Sequence, residues 1–140
     1  MENNISEEEQ RQLFLKWCKE DDTQLICEVP VFCRSVDLVK YNKKKNLVSA
    51  IEFKTRNWKR AVEQVMSTAI SFDYVEICIR KPVTLKSQNM IKEYCSDMGV
   101  GVYFFDTEEK IFEHAVSPQK VQKIWEVQKT QVIDFIVKGE

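Results

Sequence analysis

The sequence predicts one α/β domain built as a mixed β-sheet flanked by α-helices. Three observations lead there. Apolar residues recur at helical spacing in four stretches and at strand spacing in six. These stretches run helix, three strands, helix, strand, helix, strand, strand, helix. A chain of 140 residues with 44% hydrophobic composition can close one core and is too short for two ordinary domains, and no repeat, linker or low-complexity segment divides it.

Ser6 followed by Glu7, Glu8 and Glu9 has the form of a capping box, and Leu13, Phe14 and Trp17 carry a first helix to about Glu20. Asp21, Asp22 and Thr23 break it. Leu25, Cys27, Val29 and Val31 then share one face of an extended run over 24–31, and Pro30, which lacks a ladder donor, puts that strand at a sheet edge or marks its end. The β-rich runs 34–41 and 47–55 flank the polar 42–46, which makes a hairpin. Asn57 can cap a helix on which Trp58, Ala61, Val65, Ala69 and Phe72 recur at helical spacing, followed by a strand over 74–79 that Lys81-Pro82 closes. A third helix over about 87–98 presents Ile91, Tyr94, Cys95 and Met98, with Gly99 or Gly101 at its end. Strands over 100–105 and 111–116 come next, and Pro118 opens a last helix with Val121, Ile124, Trp125, Val132 and Phe135 facing inward.

A formal net charge of -1 excludes a uniformly basic nucleic-acid coat, but the charge is unevenly spread. Between Arg34 and Arg60 nine basic residues face only Asp37 and Glu52, a local charge of +7. The five cysteines, Cys18, Cys27, Cys33, Cys78 and Cys95, are odd in number and lack CxxC spacing, as expected of reduced thiols in a cytoplasmic protein. The opening Met1-Glu2-Asn3-Asn4 and its acidic run lack the basic and apolar regions of a signal peptide, and no apolar stretch approaches the ~20 residues that span a bilayer.

Chemistry concentrates in the hairpin. Strand residues two apart share a face, so Glu52 and Lys54 point one way and Ile51 and Phe53 the other. Val48 and Ala50 precede the charged pair on its own face, which marks a strand apolar on both sides and interior to its sheet. A carboxylate and an ammonium at the end of such a strand lose hydration, a cost that pairing or a bound ion offsets. A hairpin loop of two or four residues makes paired residue numbers sum to 89, which sets Asp37 opposite Glu52. Like charges placed so repel. Mg²⁺ or Mn²⁺, a hard cation that takes one or two carboxylates, removes the conflict, with Asp37 and Glu52 as the metal ligands. Lys54 on the same face can orient or deprotonate an attacking water and neutralise charge on a phosphate.

Val36-Asp37, fourteen intervening residues and then Glu52-Phe53-Lys54 resemble the motif of the PD-(D/E)XK nuclease superfamily, with Val36 in place of the proline of its name. The resemblance covers roughly residues 6–106 and implies a restriction-endonuclease-like fold. More narrowly, Glu28-Val29-Pro30-Val31, Arg34-Ser35-Val36-Asp37, Ile51-Glu52-Phe53-Lys54, Trp58-Lys59-Arg60-Ala61 and Gln64 are similar to small prokaryotic and phage members. It implies a Mg²⁺- or Mn²⁺-dependent nuclease hydrolysing phosphodiester bonds, with DNA the expected substrate and RNA left open. Carried over, Glu28 is an accessory acid near the metal and Gln64 a polar group supporting the site, which completes a catalytic set of Asp37, Glu52, Lys54, Glu28 and Gln64. Where one subfamily has tyrosine four positions after this glutamine, the chain has Thr68.

Arg34, Lys43, Lys44, Lys45, Arg56, Lys59 and Arg60 are expected to contact phosphates, because the cluster is taken to surround the metal site. A homodimer, or a protein partner that supplies specificity, fits a chain with one site and no added specificity domain. The competing reading is a nuclease-like module that holds nucleic acid or a protein without cutting. His114, the only histidine, is expected to be structural or exposed, and Trp17, Trp58 and Trp125 are expected to pack in the core.

Overall fold

The computed structural model describes residues 5–139, so the residues that argue against a signal peptide, 1–4, lie outside it. The expected order of elements is found: α1 (Glu7–Trp17), β1 (Thr23–Val31), β2 (Arg34–Asn42), β3 (Leu47–Lys54), α2 (Trp58–Met66), β4 (Tyr74–Arg80), α3 (Leu85–Met98), β5 (Gly101–Asp106), β6 (Ile111–Val116) and α4 (Glu126–Lys138). The six strands lie in one sheet in sequence order. β3, β4 and β5 run parallel, joined by α2 and α3 as crossovers, while β1–β2–β3 and β5–β6 are antiparallel. β1, which holds Pro30, is an edge.

Each sheet face buries its own core. On one, Val48, Ala50, Val75, Ile77, Ile79, Val102 and Phe104 pack with Ala61, Val62 and Val65 of α2, Ile91 and Cys95 of α3, and Val132 and Ile136 of α4. On the other, Phe14 of α1 meets Phe53, Tyr103 and Phe112 edge-on, with ring centroids 5.6, 5.0 and 5.3 Å away. Gln10, also buried, donates from Nε2 to the Cys78 carbonyl at 3.2 Å and pins α1 across the sheet. Ser6 caps α1 as expected, its hydroxyl accepting from the Glu9 N–H.

Two helices differ from expectation. α2 stops at Met66 instead of reaching Phe72, because Ser67 and Thr68 turn their hydroxyls back onto the carbonyls of Gln64 and Val65. α4 starts at Glu126 and not at Pro118, since the N–H groups of Gln119, Val121 and Trp125 donate to Gly99, Asp73 and Ile70 and hold that segment against the body. Trp125 and Phe135 therefore lie exposed, as do Trp17, Tyr94 and Met98. Lys129 takes an inward place on α4 instead, its Nζ donating at 3.0 Å to Asp73, whose carboxylate also accepts from the Val48 N–H. Gly99 ends α3 at φ 76, the left-handed cap that glycine adopts without strain.

Residues of β2, β4, β5 and β6 form a buried polar knot on the α1 side of the sheet. Glu76, 1% exposed, meets Lys40 Nζ at 3.0 Å and His114 Nε2 at 3.0 Å, and Lys40 donates to the Tyr103 hydroxyl at 3.1 Å. His114 stacks on Tyr103 with centroids 4.2 Å apart, the structural role expected of it. The cysteines are free thiols; Cys18, Cys78 and Cys95 are buried and Cys33 is exposed. No helix among the described residues is long and apolar enough to cross a membrane.

Candidate functional site

The β2–β3 turn holds four residues, 43–46, and the strands pair from Asn42↔Leu47 to Leu38↔Ile51, every pair summing to 89. This is the parity that aims Asp37 at Glu52. Beyond Leu38↔Ile51 the two strands part. The Phe53 N–H, left without a β2 carbonyl, donates to Asp37 Oδ2 at 2.8 Å, while the backbone N–H of Asp37 hydrogen-bonds the Glu52 carboxylate. The two acids are thus clamped reciprocally at the fork of the sheet.

Glu52 is buried and Asp37 half-buried, and a side-chain hydrogen bond joins them. Burial pushes the Glu52 carboxyl up to about 9, with the Asp37 charge adding to the rise; the Asp37 N–H and the Lys54 ammonium oppose it. Lys54 sits on the same face, its Nζ 3.8 Å from Glu7 of α1. Asp37, Glu52, Lys54, Gln64, Arg34, Ser35, Thr68 and Glu7 line one hollow of 120 Å³. The set expected from the sequence converges there, Glu28 excepted.

Glu28 occupies the other side of Asp37. The β1–β2 ladder passes from Cys27↔Leu38 to Val29↔Val36 without pairing Glu28 to Asp37, and Glu28 has φ 57. Both strands exchange faces at this point, since Cys27 and Leu38 pack toward α1 and Val29 and Val36 away from it. Glu28 lies exposed, 3.7 Å from Arg11, in a separate hollow of 240 Å³ that Asp37 also lines. Arg11 reaches from α1 to donate to the Asp37 carbonyl at 3.5 Å.

The basic cluster is divided. Lys43, Lys44 and Lys45 form the hairpin turn at the far end of β2 and β3, six residues or about 20 Å of strand from Asp37, so they do not surround the site. Arg34 lines the acidic hollow and Arg56 the next one. Lys59 and Arg60 stand in the first turn of α2, Lys59 with its Nζ 5.6 Å from the Trp58 ring centre and Arg60 paired with Glu63.

Glu7, Arg11 and Thr68 are the residues that sequence reasoning did not bring to the site. Glu7 reads locally as a first-turn acid suited to the helix dipole. Only the seating of α1 by Gln10 and Phe14 carries it to Lys54.

A paired-carboxylate site suits a hard divalent cation better than zinc. No group of three or more His, Cys, Asp or Glu able to hold a metal occurs among the described residues, whereas Mg²⁺ commonly takes one or two carboxylates and completes its shell with water and phosphate oxygens. Burial and then the Asp37 charge raise the Glu52 carboxyl, and a cation between the two acids would favour its ionised form.

Fold and site together define a mixed-sheet α/β protein with two clamped acids and a lysine at a fork between strands. A solved structure similar in fold is the SPO1766 protein of unknown function from Silicibacter pomeroyi, at TM-score 0.57 and 15% identity, the match covering 84% of this chain and 74% of that one. No protein-family profile and no curated protein matches the chain.

Proposed function

We propose that the chain is a divalent-metal-dependent nuclease of the PD-(D/E)XK type, hydrolysing phosphodiester bonds in DNA. The observation that carries this reading is the convergence of Asp37, Glu52, Lys54 and Gln64 in one hollow at the β2–β3 fork. The five free thiols suit a reducing compartment, the cytoplasm.

Asp37 and Glu52 would hold Mg²⁺ or Mn²⁺, which when bound neutralises phosphate charge and acidifies water. The Phe53 N–H fixes the orientation of the Asp37 carboxylate, and the Asp37 N–H does so for Glu52. Lys54 Nζ orients the attacking water and neutralises charge that grows on the phosphate oxygens. Gln64 offers an amide to the same hollow, and Arg34 at its rim a phosphate contact. Each site cuts one strand, which makes a homodimer or a protein partner a natural means of cutting both.

The ion pair between Lys54 and Glu7 favours a second reading, a module that binds nucleic acid without cutting, because Glu7 competes for the lysine. Incubation with linear, nicked, branched and single-stranded DNA in Mg²⁺, Mn²⁺ or EDTA separates the two. Metal-dependent cleavage lost in Asp37→Ala and Lys54→Ala supports the enzyme. Binding without cleavage, unchanged by both substitutions, supports the module.

A further inference from the structure

Ile91 and Cys95 seat the inner face of α3 on the core, and beside that face runs an apolar ridge left open. Met90, Tyr94 and Met98 follow one another at four-residue spacing and are 54%, 43% and 44% exposed. Trp58 meets Tyr94 edge-on at 5.1 Å and, with Met90 and the exposed Val83, walls a hollow of 460 Å³. The ridge thus broadens into an apolar face rich in methionine and aromatic residues, the composition of interface cores.

The charges around this ridge are set against the needs of a lone helix. Lys86 stands in the first turn, where the helix dipole favours an acid, and Asp97 in the last, where it favours a base. Glu93 and Asp97 are exposed and four residues apart, the spacing at which like charges repel. Among the described residues none of these three side chains has a hydrogen bond or ion pair, so nothing within the chain offsets the conflict.

A second copy of the helix, laid antiparallel across the first, offsets all of it at once. With a two-fold axis midway between Met90 and Tyr94, Met90 of each copy faces Tyr94 of the other. Lys86 of each copy then faces the 93–97 turn of the other and meets its two acids. A 14-residue helix is only about 21 Å long, so the contact is smaller than the standard ~800 Å² a side and the pairing is weak and concentration-dependent.

We propose that α3 is a self-association face through which two copies of this chain pair antiparallel about a two-fold axis. Neither metal nor nucleic acid enters this contact, so it stands apart from the nuclease reading; for a nuclease, the pair supplies two sites.

Sedimentation velocity of the full chain, in EDTA and without nucleic acid, tests it from micromolar to millimolar concentration. The parent chain is expected to pass from monomer to dimer. Met90→Glu, at the centre of the contact, is expected to weaken pairing roughly tenfold or more. Lys86→Glu and the double variant Glu93→Lys/Asp97→Lys each set like charges together at both ends of the contact, and each alone is expected to weaken pairing by a similar factor. Mixed in equal amounts, these two are expected to form a heterodimer of near-parent affinity, because both ends again join opposite charges. Lys86→Glu also puts an acid where the dipole favours one, so its melt in dilute solution is expected to equal or exceed that of the parent. A parent chain that stays monomeric throughout overturns the proposal, as does a dimer that both charge variants leave intact. A mixture that pairs no better than its components overturns the antiparallel arrangement. A dimer that never cuts with Mg²⁺ upholds the face and removes the nuclease reading, and a monomer that cuts does the reverse.

Discussion

The carboxylate of Asp37 accepts a 2.8 Å hydrogen bond from the backbone of Phe53, the residue between Glu52 and Lys54. Strand divergence would otherwise leave that N–H unpaired, so the same bond both closes the fork of the sheet and orients an acid toward Glu52. Asp37→Ala removes the acceptor and is expected to cost about 1–3 kcal/mol. Asp37→Asn keeps an acceptor and removes a charge that opposes ionisation of Glu52. In EDTA its thermal melt is expected to equal or exceed that of the parent chain, a difference that calorimetry reads directly.

Mg²⁺ or Mn²⁺ that binds the native pair alone stabilises the fold by mass action, about 2.7 kcal/mol at one hundred times its Kd. The melting temperature of the parent chain is expected to rise with added metal and that of Asp37→Asn or Glu52→Gln to rise much less. An equal rise in all three places the metal elsewhere.

The Glu76 knot sets a pH window. Burial disfavours the Glu76 carboxylate, but His114 and Lys40 more than offset this and hold its carboxyl below the usual range. Burial lowers Lys40 as well, and the carboxylate of Glu76, with Tyr103, outweighs that and raises it. The acid's contribution is therefore present above its ordinary value of 4.5 and lost as pH falls through the depressed one. The lysine's is present below 10.5 and lost as pH rises through the raised one. The knot's own contribution is expected to be level between these limits, while Glu52, raised to about 9, adds a fall in stability as pH rises from 4.5; denaturant melts of the parent chain and of Glu52→Gln separate the two. Lys40→Met, which leaves Glu76 without its ammonium, is expected to cost about 3 kcal/mol or more and to flatten the alkaline limb.

Gly101 makes room for that knot. A Cβ there would lie 2.9 Å from Glu76 Cγ, from Glu76 Oε2 and from Pro118 Cδ. Gly101→Ala is expected to destabilise by about 1–3 kcal/mol through crowding, measured by urea unfolding.

Much of the site was legible because it is local to one hairpin. Parity and loop length alone relate Asp37 to Glu52 and Lys54, and the element order follows from periodicity. What escaped depends on tertiary seating. The local sequence that favours extending α4 back to Pro118 is overruled by Gly99, Asp73 and Ile70, which accept the N–H groups of that segment from distant parts of the chain. Glu28 shares a strand face with Ile26 and Pro30 by sequence spacing, yet at its positive φ the strand exchanges faces and Glu28 meets Arg11. The lysines at 43–45 are near Asp37 in number but stand at the other end of its strand.

That division of charge predicts unequal roles in DNA binding. Substituting Lys43, Lys44 and Lys45 together by alanine is expected to change affinity less than Arg34→Ala, Lys59→Ala or Arg60→Ala individually. Each of the last three is expected to reduce the slope of log K against log salt by about 1. A salt titration of binding distinguishes the two groups.

The paired acids at the sheet fork are the core of the account, and anomalous scattering from a Mn²⁺-soaked crystal tests them most directly. One peak bridged by carboxylate oxygens of Asp37 and Glu52 is the predicted result. Saturating Mn²⁺ that leaves this pair bare, or that binds only at other acids, would contradict it.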